Sequence, residues 1–363
     1  MSVCRGCGGT DLSRVLDVGK VPAADHFPLA SDPVSSDEAS HELAMDLCVA
    51  CGLAQLSNDD TVTSEPRGIE PEALRDQAAQ AVKRVAEAGL LRGATVREFG
   101  SPHGGTWLPL LAQRGFAEVS GSNIADVVLD SFGIMHDADQ RAAFQLRAQA
   151  TAPGGVLLLQ FHSLLAIVDK GQWNSLRHGH FAYYSLLALT ELLDMVGMSI
   201  ATAWEFDLYG GTVLVAAVHG SVEPDRRVQD ILRREREFGI TEPAVVGRLQ
   251  RVAESHAARL RYWLEAQARS GRRVYGYGAS SRVPALFSIA GVDRRLVHAI
   301  ADASPGKQGR RISGTNVAII SPEELVDADP DCVFLTIPEL YEEVRRRYSQ
   351  LNGRWSLDPI AAL

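Results

Sequence analysis

Four cysteines in two C-x-x-C pairs, Cys4-Arg5-Gly6-Cys7 and Cys48-Val49-Ala50-Cys51, constrain this chain more than any other feature. Each pair has the spacing of a tight turn that brings two sulfurs to one point. Two such pairs supply the corners of a tetrahedral thiolate site for zinc. Both run into glycine, Gly8 and Gly9 after the first and Gly52 after the second, as such turns require. The long stretch from Cys7 to Cys48 means that the metal closes a whole N-terminal module rather than a small ribbon. Two disulfides, or two unrelated pairs, are the alternative. A disulfide framework suits a short, cysteine-dense secreted chain, whereas this one has 5 cysteines in 363 residues. The fifth, Cys332, opens the apolar run Cys332-Val333-Phe334-Leu335 and reads as a buried strand residue.

The length gives room for two or three domains, and 46% hydrophobic with 22% charged residues is ordinary for a soluble globular protein. A formal net charge of −9 argues against a general nucleic-acid binder. No stretch approaches the roughly 18 uncharged apolar residues of a membrane span. The start Met1-Ser2-Val3-Cys4-Arg5 has no apolar signal region. With reduced cysteines, these features predict a cytoplasmic protein without nucleic-acid or membrane partners.

Three segments follow from the pattern of strands, turns and helices. Residues 1–60 form the cysteine module, and the polar stretch from Ser57 to Pro71 reads as a link. Over 70–221 a helix leads to Thr95-Val96-Arg97-Glu98-Phe99-Gly100-Ser101-Pro102-His103-Gly104-Gly105-Thr106, which reads as strand, glycine-rich turn and a helix starting near Thr106. Such a turn lets a ligand approach the backbone at the positive end of a helix. Asp126–Asp130 and Val156–Phe161 read as buried strands, the second entered by a turn at Pro153-Gly154-Gly155, with a helix from Ala138 to Ala150 between them. Thr212–Val218 reads as a last strand. The alternation predicts a doubly wound α/β sheet. Over 222–363 an Arg- and Glu-rich helical connection precedes Val274-Tyr275-Gly276-Tyr277-Gly278-Ala279, a second strand–glycine turn–helix start, and further strands near Val297–Asp302, Val317–Ile320 and Asp331–Leu335. This predicts a smaller Rossmann-like domain.

Together the two C-x-x-C pairs, the Glu98-Phe99-Gly100-Ser101 turn, the segment His178-Gly179-His180-Phe181-Ala182-Tyr183-Tyr184-Ser185, the Gly276–Ala279 turn and Gly306-Lys307-Gln308-Gly309-Arg310 resemble the sugar C-methyltransferases of deoxysugar biosynthesis. The resemblance spans nearly the whole chain. It implies a zinc-binding N-terminal module, a central S-adenosylmethionine (SAM) domain and a C-terminal Rossmann-like domain that holds a nucleotide-linked keto-sugar. The chain departs from the family in several places. Pro102-His103 replaces an Asn-Asp pair of the glycine turn, and a proline donates no backbone hydrogen bond there. Ala117–Ser122 is all that remains of the second strand of a SAM domain, and at least one βα unit is missing. The family's Tyr-His-Glu-His run reads Arg177-His178-Gly179-His180. The tyrosines that follow the zinc module are absent from Ser57–Pro71. A His-Gly-Gly-Ser run reads Tyr209-Gly210-Gly211-Thr212.

Methylation at a carbon next to a ketone needs a base for the carbon-bound proton, donors for the enolate and a methyl group in line. The resemblance nominates His180 as base, Tyr183, Tyr184 and His178 as donors or orienters, and Arg177 as partner of an enolate or diphosphate. Read alone, His178 and His180 are two histidines before a helix capped at Ser185. Glu98, Gly100, Ser101 and Gly104 are expected to line the SAM site, with Phe132–His136 and Trp107 building an adenine pocket. Gly276, Gly278 and Ala279 are expected to admit a diphosphate, with Asp302, Lys307 and Arg310 on the substrate. Read alone, the Lys307–Arg310 run is a solvated basic turn. Three functions fit: a SAM-dependent C-methyltransferase, a SAM-independent epimerase, isomerase, dehydratase or cyclase on the same scaffold, and a non-catalytic partner protein.

Overall fold

Each cysteine pair sits on a turn that its glycines allow. In the computed structural model, which describes residues 3–61, 70–101, 104–121 and 123–357, Gly8 and Gly52 adopt φ of 78° and 74°. The Cys4 amide donates to the Gly9 carbonyl, and the Gly52 amide to that of Cys48. From these turns run three antiparallel strands, β1 (Leu12–Val21), β2 (His41–Cys48) and β3 (Ala54–Leu56). Their apolar face, with Leu16, Leu43, Met45 and Leu47, is buried in a core shared with the far end of the chain.

The central segment runs α1 (Glu72–Glu87), β4 (Thr95–Phe99), α2 (Leu108–Ala112), β5 (Ala117–Glu118), β6 (Ala125–Ser131), α3 (Gln140–Ala150), β7 (Thr151–His162), α4 (Leu164–Asp169), β8 (Ala182–Tyr183), α5 (Leu186–Asp194), β9 (Met198–Phe206) and β10 (Thr212–His219). Six of its strands form one sheet in the order β5-β4-β6-β7-β10-β9. β5, β4, β6 and β7 are mutually parallel, and β10 runs antiparallel to both neighbours. Between β4 and β6 the chain has only the five-residue α2 and the two-residue β5. The expected helix start at Thr106 moves to Leu108, because Thr106 and the Trp107 amide both bond the Glu98 carboxylate. Pro153-Gly154-Gly155 lies inside β7 rather than in a turn. Gly155 sits so close to β6 that a Cβ would lie 2.6 Å from the Asp126 carbonyl.

β8 does not join this sheet. It pairs with β3, so the N-terminal sheet has the order β1-β2-β3-β8 and the two segments interlock. The Ser185 hydroxyl caps α5 by accepting from the Ala188 amide, as its place in the sequence suggests.

Beyond β10 come α6 (Arg226–Phe238), α7 (Pro243–Val246), α8 (Arg248–Arg269), β11 (Val274–Tyr277), α9 (Val283–Ala290), β12 (Ala299–Ala301), β13 (Ala318–Ile320), α10 (Pro322–Asp327), β14 (Cys332–Leu335), α11 (Tyr341–Arg347) and β15 (Trp355–Leu357). The strands form a parallel sheet in the order β13-β12-β11-β14-β15. The charged connection has an apolar side: Leu249, Ala253, Leu260 and Leu264 of α8 are buried against the same core as β1 and β2. A buried clamp closes the arrangement. Arg311 donates two bonds of 2.7 Å to the Glu38 carboxylate and also reaches the carbonyls of Asp32 and Pro33. No helix among the described residues is long and apolar enough to cross a membrane.

Candidate functional site

The four cysteine sulfurs lie within 4.8 Å of one another, with Cys4–Cys51 and Cys7–Cys48 each 3.6 Å apart. A tetrahedron with zinc–sulfur bonds of about 2.3 Å has sulfur–sulfur edges of about 3.8 Å, so the donor set fits zinc. The sulfurs burden one another: a hydrogen bond from Cys51 holds the Cys4 thiol down to about 5, and the same contact together with burial pushes Cys51 up. A divalent cation removes that conflict by stabilising every thiolate. The Gly9 amide donates to the Cys7 sulfur at 3.4 Å, an outer bond of the kind that orients a ligand.

A single cleft gathers most of the other candidates. Parallel strands present their carboxyl ends as ligand sites, and here the parallel strands of two sheets turn those ends toward the same space. Glu98 and Phe99 at the end of β4, Ser131 at the end of β6 with Phe132 after it, and His162 at the end of β7 line one side. Tyr277 at the end of β11 with Gly278 after it, Asp302 and Ser304 after β12, and Ile337 after β14 line the other. The start of α1 and the segment 175–183 close it.

On the central side Gly100, Ser101 and Gly104 line the cleft with Trp107, Phe132 and Met135. Gly105 has φ of 85°, and a Cβ there would lie 2.5 Å from Glu70 Oε1. Burial pushes the Glu98 carboxyl above its usual range, against the Thr106 and Trp107 bonds that favour its ionised form. Pro102 and His103 lie outside the described residues, as does most of the Ser57–Pro71 link.

On the C-terminal side Gly278 has φ of 94°, and a Cβ there would lie 2.8 Å from Thr336 Oγ1. The Asp302 carboxylate accepts from the amides of Ala279 and Ser304. It therefore shapes the turn while lining the cleft. The Lys307 ammonium is buried, donates to the Ala279 carbonyl at 3.1 Å and lies over the Phe27 ring. Ser280 lines the cleft with a buried hydroxyl that has no partner among the described residues.

At the junction His180 lines the cleft and Arg177 Nε donates to its Nε2 at 2.8 Å. The Arg177 guanidinium also donates to Ser281 Oγ at 2.6 Å, tying segment 175–183 to the C-terminal domain. The buried Tyr183 lines the cleft, and its hydroxyl donates to the Ser175 carbonyl and accepts from the Arg177 amide.

Several nominated residues lie elsewhere. Tyr184 is packed in the core with Phe144 and Phe161, its hydroxyl on Gln140, because alternation along β8 sends it to the opposite face from Tyr183. His178 is buried against the N-terminal sheet, 3.1 Å from the Glu42 carbonyl, and burial lowers its pKa. Gly276 is interior to β11, where a Cβ would strike Ile300. Ala279 is buried with both backbone groups engaged. Arg310 reaches back to the Gly306 and Phe27 carbonyls, so it fastens the N-terminal loop rather than meeting the cleft.

The sequence reading missed His162, Tyr209 and Arg282, all of which line the cleft. Tyr209 has a left-handed φ of 51° and packs edge-on against Phe132, itself at φ 59°. The Tyr209-Gly210-Gly211 departure was its one signal. His162 ends a parallel strand, a placement that strand order reveals and residue type does not.

Residues 4–65 match the family model described as "Putative zinc binding domain", and residues 207–356 match "C-methyltransferase C-terminal domain". The chain is similar to "C-methyltransferase NovU" of Streptomyces niveus, at 25% identity over 400 residues, covering 97% of this chain and 94% of that protein. Solved methyltransferase structures are loose matches to part of the chain. An O-methyltransferase family protein from Burkholderia thailandensis has a TM-score of 0.29 at 16% identity, covering 42% of this chain and 60% of its own. A 1,6-didemethyltoxoflavin-N1-methyltransferase from the same organism, solved with S-adenosylhomocysteine, has a TM-score of 0.30 at 13% identity, covering 47% and 96%. With a zinc-binding match at one end, a C-methyltransferase match at the other and a relative along nearly its whole length, the chain is similar to the C-methyltransferases from end to end.

Proposed function

We propose that this protein is a SAM-dependent C-methyltransferase that acts at a carbon next to the ketone of a nucleotide-linked keto-sugar. The observation that carries the reading is the convergence of the parallel strands of two sheets on one cleft. A glycine turn and apolar rings line one side, hydroxyls and a buried lysine the other, and histidines with Arg177 stand between. Glu98, Gly100, Ser101 and Gly104, with Trp107 and Phe132, would hold SAM, which when bound supplies an electrophilic methyl group. Gly278, Ser280, Ser304 and Lys307 would take the diphosphate of the substrate. A cleft histidine accepts the carbon-bound proton, with His180 nominated by the sequence. Arg177 and Arg282 would offset charge on the enolate oxygen. His180 can serve only when Arg177 releases its Nε2, since a guanidinium N–H occupies the lone pair that a base needs.

The test is incubation of the zinc-loaded chain with SAM carrying a 13C methyl and a panel of nucleoside-diphosphate 3-keto and 4-keto hexoses. A product labelled on carbon next to the carbonyl is expected. Absence of labelled product across the panel, from protein that binds both ligands, overturns the reading.

A second reading, proton abstraction without methyl transfer, draws on the shortened sheet and on Arg177 and Gly179 in the rewritten run. It requires conversion of a keto-substrate with solvent deuterium wash-in and no dependence on SAM.

A further inference from the structure

The two histidines at the cleft are held in opposite ways. His180 receives the Nε–H of Arg177 on Nε2 at 2.8 Å. A guanidinium never accepts a hydrogen bond, so Nε2 is the lone-pair nitrogen of that ring and is already occupied by a cation. His162 lies at the carboxyl end of β7, and its Nε2 is 3.0 Å from Gln172 Oε1. A carbonyl oxygen only accepts, so Nε2 carries the hydrogen and Nδ1 holds the lone pair. No other hydrogen bond from the His162 ring is found among the described residues.

The anchor of this ring is itself built in. A Cβ on Gly210 would lie 2.2 Å from Gln172 Nε2 and one on Gly211 2.6 Å from Ala166 Cβ. With φ of 81° and 148°, Gly210 and Gly211 carry the loop past the Gln172 amide. The Ser163 amide donates to the Gly211 carbonyl, and Thr212 pairs with His162 across the ladder. Tyr209 at the head of this loop lines the same cleft.

We propose that His162, through Nδ1, is the group that takes the proton from the substrate carbon, and that His180 orients Arg177 toward the enolate. This inference rests on the proton-abstraction chemistry of the proposed function. In the step, the carbon–hydrogen bond breaks, the proton forms an N–H bond at Nδ1, and the electron pair moves into the enolate with its charge on oxygen. Nε2–H stays on Gln172, and Nδ1 returns its proton to solvent when product leaves.

The charges around His162 fit a base that works only on a bound anion. Burial, Arg282, Arg177 and Lys170 hold it down to about 3, so in the free protein it is neutral and a weak base. Negative charge developing on the enolate oxygen against Arg177 and Arg282 offsets those cations as the proton moves, which favours the protonated ring in the transition state.

The experiment follows exchange of the carbon-bound proton in D2O by NMR, with the full zinc-loaded chain, S-adenosylhomocysteine and a nucleoside-diphosphate 4-keto-6-deoxyhexose as the probe. His162→Gln keeps a donor for Gln172 and lacks the Nδ1 base. It should slow exchange at least 100-fold while both ligands still bind with their wild-type affinities. His180→Gln should slow exchange less than tenfold. Exogenous imidazole should restore exchange to His162→Gly and not to His180→Gly, a rescue that a structural role does not produce. Wild-type exchange in His162→Gln, or loss confined to His180→Gln, overturns the assignment and leaves the proposed function standing. No exchange by the wild-type protein overturns both.

Discussion

The ring of His162 and the hydroxyl of Ser280 are the residues whose replacement is easiest to interpret. Ser280 Oγ is buried with no partner among the described residues, so Ser280→Ala forfeits no internal bond. It should leave the melting temperature unchanged and raise the KM for a nucleotide-linked substrate roughly fivefold, for a hydrogen bond of about 1 kcal/mol. A drop in stability with an unchanged KM would contradict its role in binding. His162 titrates at about 3 when folded and near 6.5 when unfolded. A lowered folded pKa contributes stability that is complete above 6.5 and is lost as pH falls toward 3. Glu235, whose carboxyl burial pushes up to about 7, titrates in an overlapping range with the opposite sign. The stability difference between wild type and His162→Gln isolates the histidine. It should shrink from pH 7 to pH 5 in urea titrations, and a pH-independent difference would contradict a neutral His162.

At the scale of elements, a buried clamp ties the N-terminal module to the C-terminal sheet region. Arg311 holds the Glu38 carboxyl down to about 2, with both side chains largely buried. Glu38→Gln strands a buried guanidinium and should cost about 3 kcal/mol. In the wild type the carboxylate contributes fully above pH 4.5 and loses that contribution as pH falls toward 2. Unchanged urea stability of the variant would contradict the clamp. The sequence made some elements plain and concealed others. The turns at Gly100 and Gly278, the buried strand at Cys332 and the cap at Ser185 were legible because each rests on local backbone chemistry. β8 was not legible, since a two-residue strand is defined by its partner β3. Arg310 was misread because nothing in Lys307–Arg310 reveals that the Phe27 carbonyl lies within reach. His162 escaped notice for the same reason: what makes it significant is Gln172, Gly210 and its place at the carboxyl end of β7.

For the whole molecule, the zinc site and the cleft are parts of one object. β8 belongs to the sheet that joins the cysteine cluster and carries Tyr183 into the cleft, so loss of zinc should reach the cleft. Cys48→Ser should release zinc, expose residues 3–61 to protease and abolish turnover. Full zinc content in that variant would contradict the ligand assignment. The central claim is that a sheet with only a five-residue helix and a two-residue strand between β4 and β6 still serves methyl transfer. Calorimetric titration of SAM and S-adenosylhomocysteine into zinc-loaded protein tests it most directly. Micromolar binding of both, lost in Glu98→Ala, is the predicted result. No heat from either ligand at millimolar concentration would contradict it.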